Sequence, residues 1–305
     1  MKTVLLSVLV ATYMSAGLVS ADQSAAVAPE VSVTPLKGAL YLLQGRGGNV
    51  LASLGDDGIL IIDDDYAQYA SAYQQALNNL QPGSGYAQTP SFVINTHWHG
   101  DHTGSNEFWA ERGSVIVAHN NVRLRMSSRQ EMKALDTVVE ASPPSALPVV
   151  TYGDSLVLHF NSDDIEIQHF PRGHTDGDST VFFSKENVVH MGDHFFNDAF
   201  PFIDLGSGGS VAGYLANIET LLTRVDRSTV IIPGHGAVAN KADLERYYEM
   251  LSATTGAVKA ALASGQSLAQ VIEQGLGDKW SSWGQGFINE EMWISTVAAS
   301  EQVSQ

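Results

Sequence analysis

Within Thr96-His97-Trp98-His99-Gly100-Asp101-His102, three imidazoles and a carboxylate fall inside six positions. A lone histidine is ordinarily a surface or packed core residue, but this density of nitrogen and oxygen donors suits a metal ion far better than a core. His97 and His99, at i and i+2, point to one side of an extended backbone and form a two-nitrogen clamp. Gly100 then lets the chain turn, so that Asp101 and His102 face a second position a short distance away. Three later segments share a pattern of strand, small residue and ligand: Phe170-Pro171-Arg172-Gly173-His174, Val189-His190-Met191-Gly192-Asp193 and Ile232-Pro233-Gly234-His235. In each, a glycine before the donor allows close backbone approach to a crowded site. Together His97, His99, Asp101, His102, His174, Asp193 and His235 make a donor set for two adjacent divalent ions.

The elements that must position these donors are legible from periodicity. Ala39 to Leu43, Asn49 to Leu54 and Ile59 to Ile62 read as a meander of strands split by Gly47-Gly48 and Gly55-Asp56-Asp57-Gly58. The spacing predicts a helix over Tyr69 to Leu80, then a strand at Ser91 to Asn95 that runs into the His97 motif. Glu107 to Arg112 and Asn121 to Glu140 read as helices, with Pro143, Pro144 and Pro148 marking a connection. A second strand series follows at Ser155 to Phe160, Ile165 to Phe170, Thr180 to Phe183 and Val188 to Met191, of which the second and fourth lead into donors. Ser210 caps an amphipathic helix from Val211 to Val225. Thr229 to Ile232 is a strand ending at Pro233-Gly234-His235. From about residue 241 the chain reads as mainly helical, with Trp280, Trp283, Phe287 and Trp293 as packing anchors.

Composition narrows the chemistry. The absence of cysteine excludes disulfides and thiolate metal sites, so every ligand comes from His, Asp, Glu or solvent. A formal net charge of -17, from 16 Lys plus Arg against 33 Asp plus Glu, disfavours a nucleic-acid partner and leaves a small-molecule substrate as the expectation. Residues 1–21 read as a signal peptide: Lys2, an apolar run over Val4 to Val10, and Val19-Ser20-Ala21 as a small-residue cleavage site. The apolar run is shorter than the roughly 20 residues of a spanning helix, so a cleaved leader is favoured over a stable membrane anchor. The expectation is an exported chain, periplasmic or secreted, whose residues 22–305 form one catalytic domain.

These motifs resemble the metallo-β-lactamase superfamily, in the H-x-H-x-D-H run at His97 to His102 and in His174, Asp193 and His235, over roughly Leu36 to Asn240. The resemblance implies an α/β fold of one domain, a four-layer αββα sandwich with its site at one edge. It implies two Zn2+ ions or other divalent metals, the first held by His97, His99 and His174 and the second by Asp101, His102 and His235. Asp193 would bridge them, and Asp63 would steady the ligand loop, whereas Asp64 and Asp65 read as solvated loop carboxylates.

Two such ions about 3.5 to 4 Å apart share a water and lower its pKa toward ~7, which implies hydrolysis of an amide or ester. Asp101 is the candidate catalytic group that orients the nucleophile and handles its proton. The resemblance extends to β-lactamases with all-His/Asp ligands and equally to glyoxalase-type thioesterases and lactonases. No Lys or Arg lies between Lys185 and Arg224, where some β-lactamases grip a substrate carboxylate, leaving Arg172, Ser207 or Ser210 as substitutes. An iron-binding redox member, a nuclease and a non-catalytic metal-binding protein are the rival classes; the first would want a flavin domain and the second a basic surface.

Overall fold

The computed structural model describes residues 29–80 and 89–303, so the leader expected at 1–21 lies outside the described residues. Seven strands form the first sheet: β1 (Ser32–Pro35), β2 (Leu40–Gln44), β3 (Val50–Gly55), β4 (Gly58–Ile62), β5 (Phe92–Ile94), β6 (Val115–His119) and, after a separate hairpin of β7 (Gln130–Met132) and β8 (Thr137–Val139), β9 (Val150–Tyr152). The second sheet holds β10 (Ser155–Phe160), β11 (Asp163–His169), β12 (Ser179–Phe183), β13 (Val188–His190) and β14 (Val230–Ile232). In each sheet an antiparallel meander turns into parallel pairing, at β4 with β5 and at β13 with β14. The carboxyl ends of those parallel strands therefore emerge together, which is where open α/β sheets gather functional loops.

Alternating side chains sort the strands into layers. Leu60 and Ile62 of β4 join Ile167, Val181 and Ile232 between the sheets, while Ile59 and Ile61 face outward onto Tyr73 and Leu77 of α1 (Ala70–Leu80). Short helices α2 (Gly100–Thr103), α3 (Asn106–Ala110) and α4 (Asn120–Met126) follow the first parallel strands. On the far side, Val189 and Ile231 pack on α5 (Val211–Arg224), α6 (Lys241–Ala263) and α8 (Glu290–Val303), with α7 (Leu268–Gln274) beside them. The result is the four-layer αββα sandwich in one domain. Among the described residues no helix is long and apolar enough to cross a membrane.

Two local expectations change. The helix expected over Asn121 to Glu140 stops at Met126, because Ser127 caps it and the Gln130 amide folds back onto the Arg125 and Ser128 carbonyls. Left-handed Asp136 then turns the chain, and β-branched Thr137-Val138-Val139 pairs with Gln130–Met132. Among the aromatic anchors, Trp283 and Trp293 are buried, and Trp293 donates its indole N–H to Thr254 Oγ1 at 2.9 Å. Phe287 is not an anchor: it stands 69% exposed at the mouth of a cavity.

His119, on β6, caps α4 by accepting from the Asn121 N–H and stacks on His169 of β11 with ring centroids 3.7 Å apart. Burial, then the facing His169, brings His119 down to about 4 from its ordinary 6.5. The unfolded chain therefore binds more protons here between those values, so this contribution to stability is present above about pH 6.5 and is lost as pH falls toward 4. His119→Asn keeps a capping oxygen and removes the titration. Its melting temperature should fall less steeply than that of the wild type on acidification through this window; parallel curves would disprove the assignment.

Candidate metal centre

The seven donors expected from sequence converge at the carboxyl edge of the sheets, from four different chain segments. Donor atoms of His97, His99, His174 and Asp193 lie within 4.8 Å of one another, as do those of Asp101, His102 and His235. Asp193 joins the groups: its Oδ2 faces His97 Nε2 at 3.7 Å and His174 Nε2 at 3.4 Å, and its Oδ1 faces His102 Nε2 at 3.2 Å and His235 Nε2 at 3.4 Å. His97 sits on a bend and His99 on extended backbone just before α2, outside any strand, and their rings converge with centroids 4.8 Å apart. Asp101 and His102 come from the turn of helix α2. A Cβ at Gly100 would meet nothing, so this turn does not require glycine. Gly234 and Gly192 are required: a Cβ on Gly234 would overlap Asp193 Oδ1, and Gly192 has a positive φ of 50° against Thr96.

What each ring does with its far nitrogen fixes what it presents inward. His174 Nδ1 donates to the Phe202 carbonyl at 2.7 Å, leaving Nε2 as a lone pair. His99 Nε2 donates to Asp204 Oδ2 at 3.2 Å, leaving Nδ1 as a lone pair. Those two lone-pair atoms face each other at 2.8 Å, a contact that is repulsive unless a cation lies between the rings and the carboxylate. Thr96 donates its hydroxyl to Asp63 and so accepts from His97 Nδ1, which turns His97 Nε2 inward as a buried atom with no hydrogen-bond partner. Asp63 Oδ2 also accepts from His102 Nδ1 at 2.7 Å. Asp193 Oδ1 is a second buried orphan. Such orphans are rare in native interiors and here share one need, a positive charge. The residues present fit a divalent metal centre.

The electrostatics agree. Burial pushes His97 well below the ordinary imidazole range, with neighbouring His102 adding to the effect, so it is a neutral ligand. Burial also opposes charge on His102 and His235, but Asp193 with the other nearby carboxylates overrides it, raising His102 well above its usual value and His235 to about 9. Burial would raise Asp193, yet the surrounding imidazoles, His102 foremost, hold it well below the usual carboxylate range. Burial likewise raises Asp101, and His102 and His235 outweigh it to bring that carboxyl down to about 2.

Residues around the donors complete the centre, and several were not singled out from sequence. Asp204 has no motif of its own, since its partner His99 lies 105 positions away. Asp64 and Asp65 are buried rather than solvated. Asp65 accepts from the Arg46, Gly47 and Tyr66 backbone N–H groups and the Tyr73 hydroxyl, fastening the glycine loop beside His102, while Asp64 accepts from Ser105 N–H. His194 lies behind His174, bonded to Asn217 at 3.1 Å and stacked on Tyr214, away from the cavity. His190 bonds the Asn49 carbonyl, and His159 pairs with Asp164 on the surface.

A cavity of about 630 Å³ opens directly over His99, Asp101, Asp193 and His235. Arg172, Ser207 and Ser210 do not line it: Ser207 binds Asp204, and Ser210 caps α5. Among the described residues the one Lys or Arg in its wall is Arg46, from the loop between β2 and β3.

The family model of the metallo-β-lactamase superfamily matches residues 87–235, the stretch that carries the His/Asp donor set. The chain is 23% identical over 240 residues to the 2,4-dinitroanisole O-demethylase subunit alpha of Nocardioides sp. (strain JS1661), covering 78% of this chain and 67% of that one. It is 24% identical over 242 residues to the acyl-coenzyme A thioesterase MBLAC2 of Gallus gallus, covering 72% of this chain and 84% of the relative. Among solved structures, the DIM-1 metallo-β-lactamase superposes with a TM-score of 0.59 at 16% identity, covering 73% of this chain and 98% of its own. A double mutant of the sec-alkyl sulfatase PisA1 reaches 0.68 at 15% identity, covering 90% of this chain and 50% of that one. These two likenesses show the fold.

Asp63→Asn keeps a residue that tolerates the left-handed backbone at this position, where φ is 61°, and removes the charge behind His102 and Thr96. Zinc affinity, measured by competition with a chromophoric chelator, should fall by about 10- to 100-fold with the circular dichroism spectrum unchanged. Wild-type affinity in this variant would remove Asp63 from the centre.

Proposed function

We propose that this protein is an exported dinuclear zinc hydrolase that cleaves an ester, thioester or amide bond of a small molecule. The single observation that carries the reading is the Asp193 carboxylate, whose two oxygens face the two donor groups separately. His97, His99 and His174 would hold one cation, Asp101, His102 and His235 the other, and Asp193 both. Zinc suits a donor set of imidazoles and carboxylates without thiolate, although other divalent metals compete for the same ligands. Export rests on the amino-terminal sequence alone.

When bound, the cation pair supplies an ionised water at neutral pH and polarises the scissile carbonyl. The remaining work falls to the chain. Asp101 is an acceptor at neutral pH and lies on the cavity wall, where it orients the attacking water and receives its proton. Asp63, Asp204 and the Phe202 carbonyl hold His102, His99 and His174 in the tautomers that aim lone pairs inward. Trp98 and Phe196 wall the cavity beside the donors and exclude water from their far side.

Similarity to a named acyl-coenzyme A thioesterase over most of that relative's length supports an ester or thioester. A β-lactam amide is the second reading, favoured by the fold shared with DIM-1 and by Arg46, which could meet the substrate carboxylate.

Zinc-loaded protein should contain two equivalents of metal and hydrolyse at least one of an aryl ester, a thioester, a lactone or a chromogenic cephalosporin. A chelator should abolish that activity. His97→Ala should lower kcat/KM by about a thousandfold or more, because it strips one of the ligands from the centre. Full activity in that variant, or indifference to chelation, would end the proposal.

A further inference from the structure

Two segments with no part in ligation contribute to the cavity wall. One is the β7–β8 hairpin, which contributes Met132, Leu135 and Val139. The other is Gly286-Phe287-Ile288, which precedes α8 and lies beyond the stretch matched by the family model. That second segment is fastened rather than draped. Ile288 forms an antiparallel bridge with Phe200, and the Phe200 N–H donates to the Trp283 carbonyl at 2.9 Å. Phe287 meets Phe202 edge to face, with centroids 6.3 Å apart, and remains 69% exposed. A large aromatic left in solvent on a fixed backbone, in the lining of an apolar cavity, is covered at a gain in free energy by an apolar ligand.

The polar side chains of this wall, apart from the donors, are Arg46, Tyr66, Thr137 and Asn197, too few for a substrate polar along its whole length. Cavities of a few hundred Å³ with apolar walls and a few convergent polar groups bind small molecules through their apolar bodies.

We infer that Phe287 and Leu135, which both line the cavity, form a subsite for an extended apolar arm, so that the substrate is a carboxylic acid derivative bearing an alkyl chain of several carbons. This rests on the hydrolase reading for its reacting end, but binding of the arm is measurable without turnover. Ile288 and Phe200 set the depth at which the arm lies, and Phe202 connects it to the centre, because its ring lines the subsite while its carbonyl orients His174.

The test is calorimetric titration of the full zinc-loaded protein with butyrate, hexanoate and octanoate, whose shared carboxylate isolates the contribution of the chain. Each methylene that becomes buried should tighten Kd ~4-fold, so octanoate should bind at least tenfold more tightly than butyrate. Phe287→Ser removes an exposed ring and leaves the core intact; it should flatten the series, as should Leu135→Ser from the β7–β8 hairpin. Equal affinities across the wild-type series, or wild-type octanoate affinity in both variants, would overturn the inference. Octanoate preference in a protein that hydrolyses none of the panel above would leave the subsite standing and remove the hydrolase reading. Hydrolysis with a flat series would do the reverse.

Discussion

Buried imidazole nitrogens cannot face one another as lone pairs without something positive between them, and the centre of this protein is organised around that constraint. Each of His97, His99 and His174 has its proton committed on the outer side, to Thr96, Asp204 and the Phe202 carbonyl respectively. Their inner nitrogens are left with only acceptor character, and those of His97 and His174 meet a carboxylate that is also an acceptor. In a low-dielectric interior such a set is costly unless a cation satisfies all of it at once.

The sandwich serves this arrangement by direction. Parallel pairing of β4 with β5 and of β13 with β14 sends Asp63, His97, Asp193 and His235 out of the same edge. The apolar layer between the sheets, with Leu60, Ile62, Ile167, Val181 and Ile232, holds the halves in register. Small errors there would move ligands on different sheets relative to each other, because close-packed interiors transmit displacement instead of absorbing it.

The loop from Phe195 to Asp204 joins the centre to the substrate side. It stacks Phe196 on His235 at 5.1 Å, gives the Phe202 carbonyl to His174 and Asp204 to His99, and walls the cavity with Phe200 and Phe202. The carboxyl-terminal segment docks on the same loop through Phe200. One stretch of chain therefore carries both groups that orient the donor histidines and part of the cavity wall, so a change in either is felt by the other.

Most of the donor set was legible in the sequence because His97, His99, Asp101 and His102 are local, and His174, Asp193 and His235 each follow a strand and a glycine. Regular strands such as Ile59 to Ile62 were legible for the same reason: their signal lies in neighbouring residues. Residues whose meaning depends on distant partners were not. Asp204 is an ordinary loop carboxylate until His99 arrives beside it, and Asp65 looks solvated until the Arg46-Gly47 backbone folds over it. Phe287 reads as a packing aromatic because sequence records hydrophobicity and not which side of a wall it faces. The helix expected over Asn121 to Glu140 gave way to a hairpin once Gln130 could bond back to Arg125 and Ser128. Local chemistry along the chain determined which atoms bind; the packing of two sheets and a carboxyl-terminal helical layer decided where those atoms meet and what shape of ligand can reach them, since both are properties of distances between residues far apart in sequence.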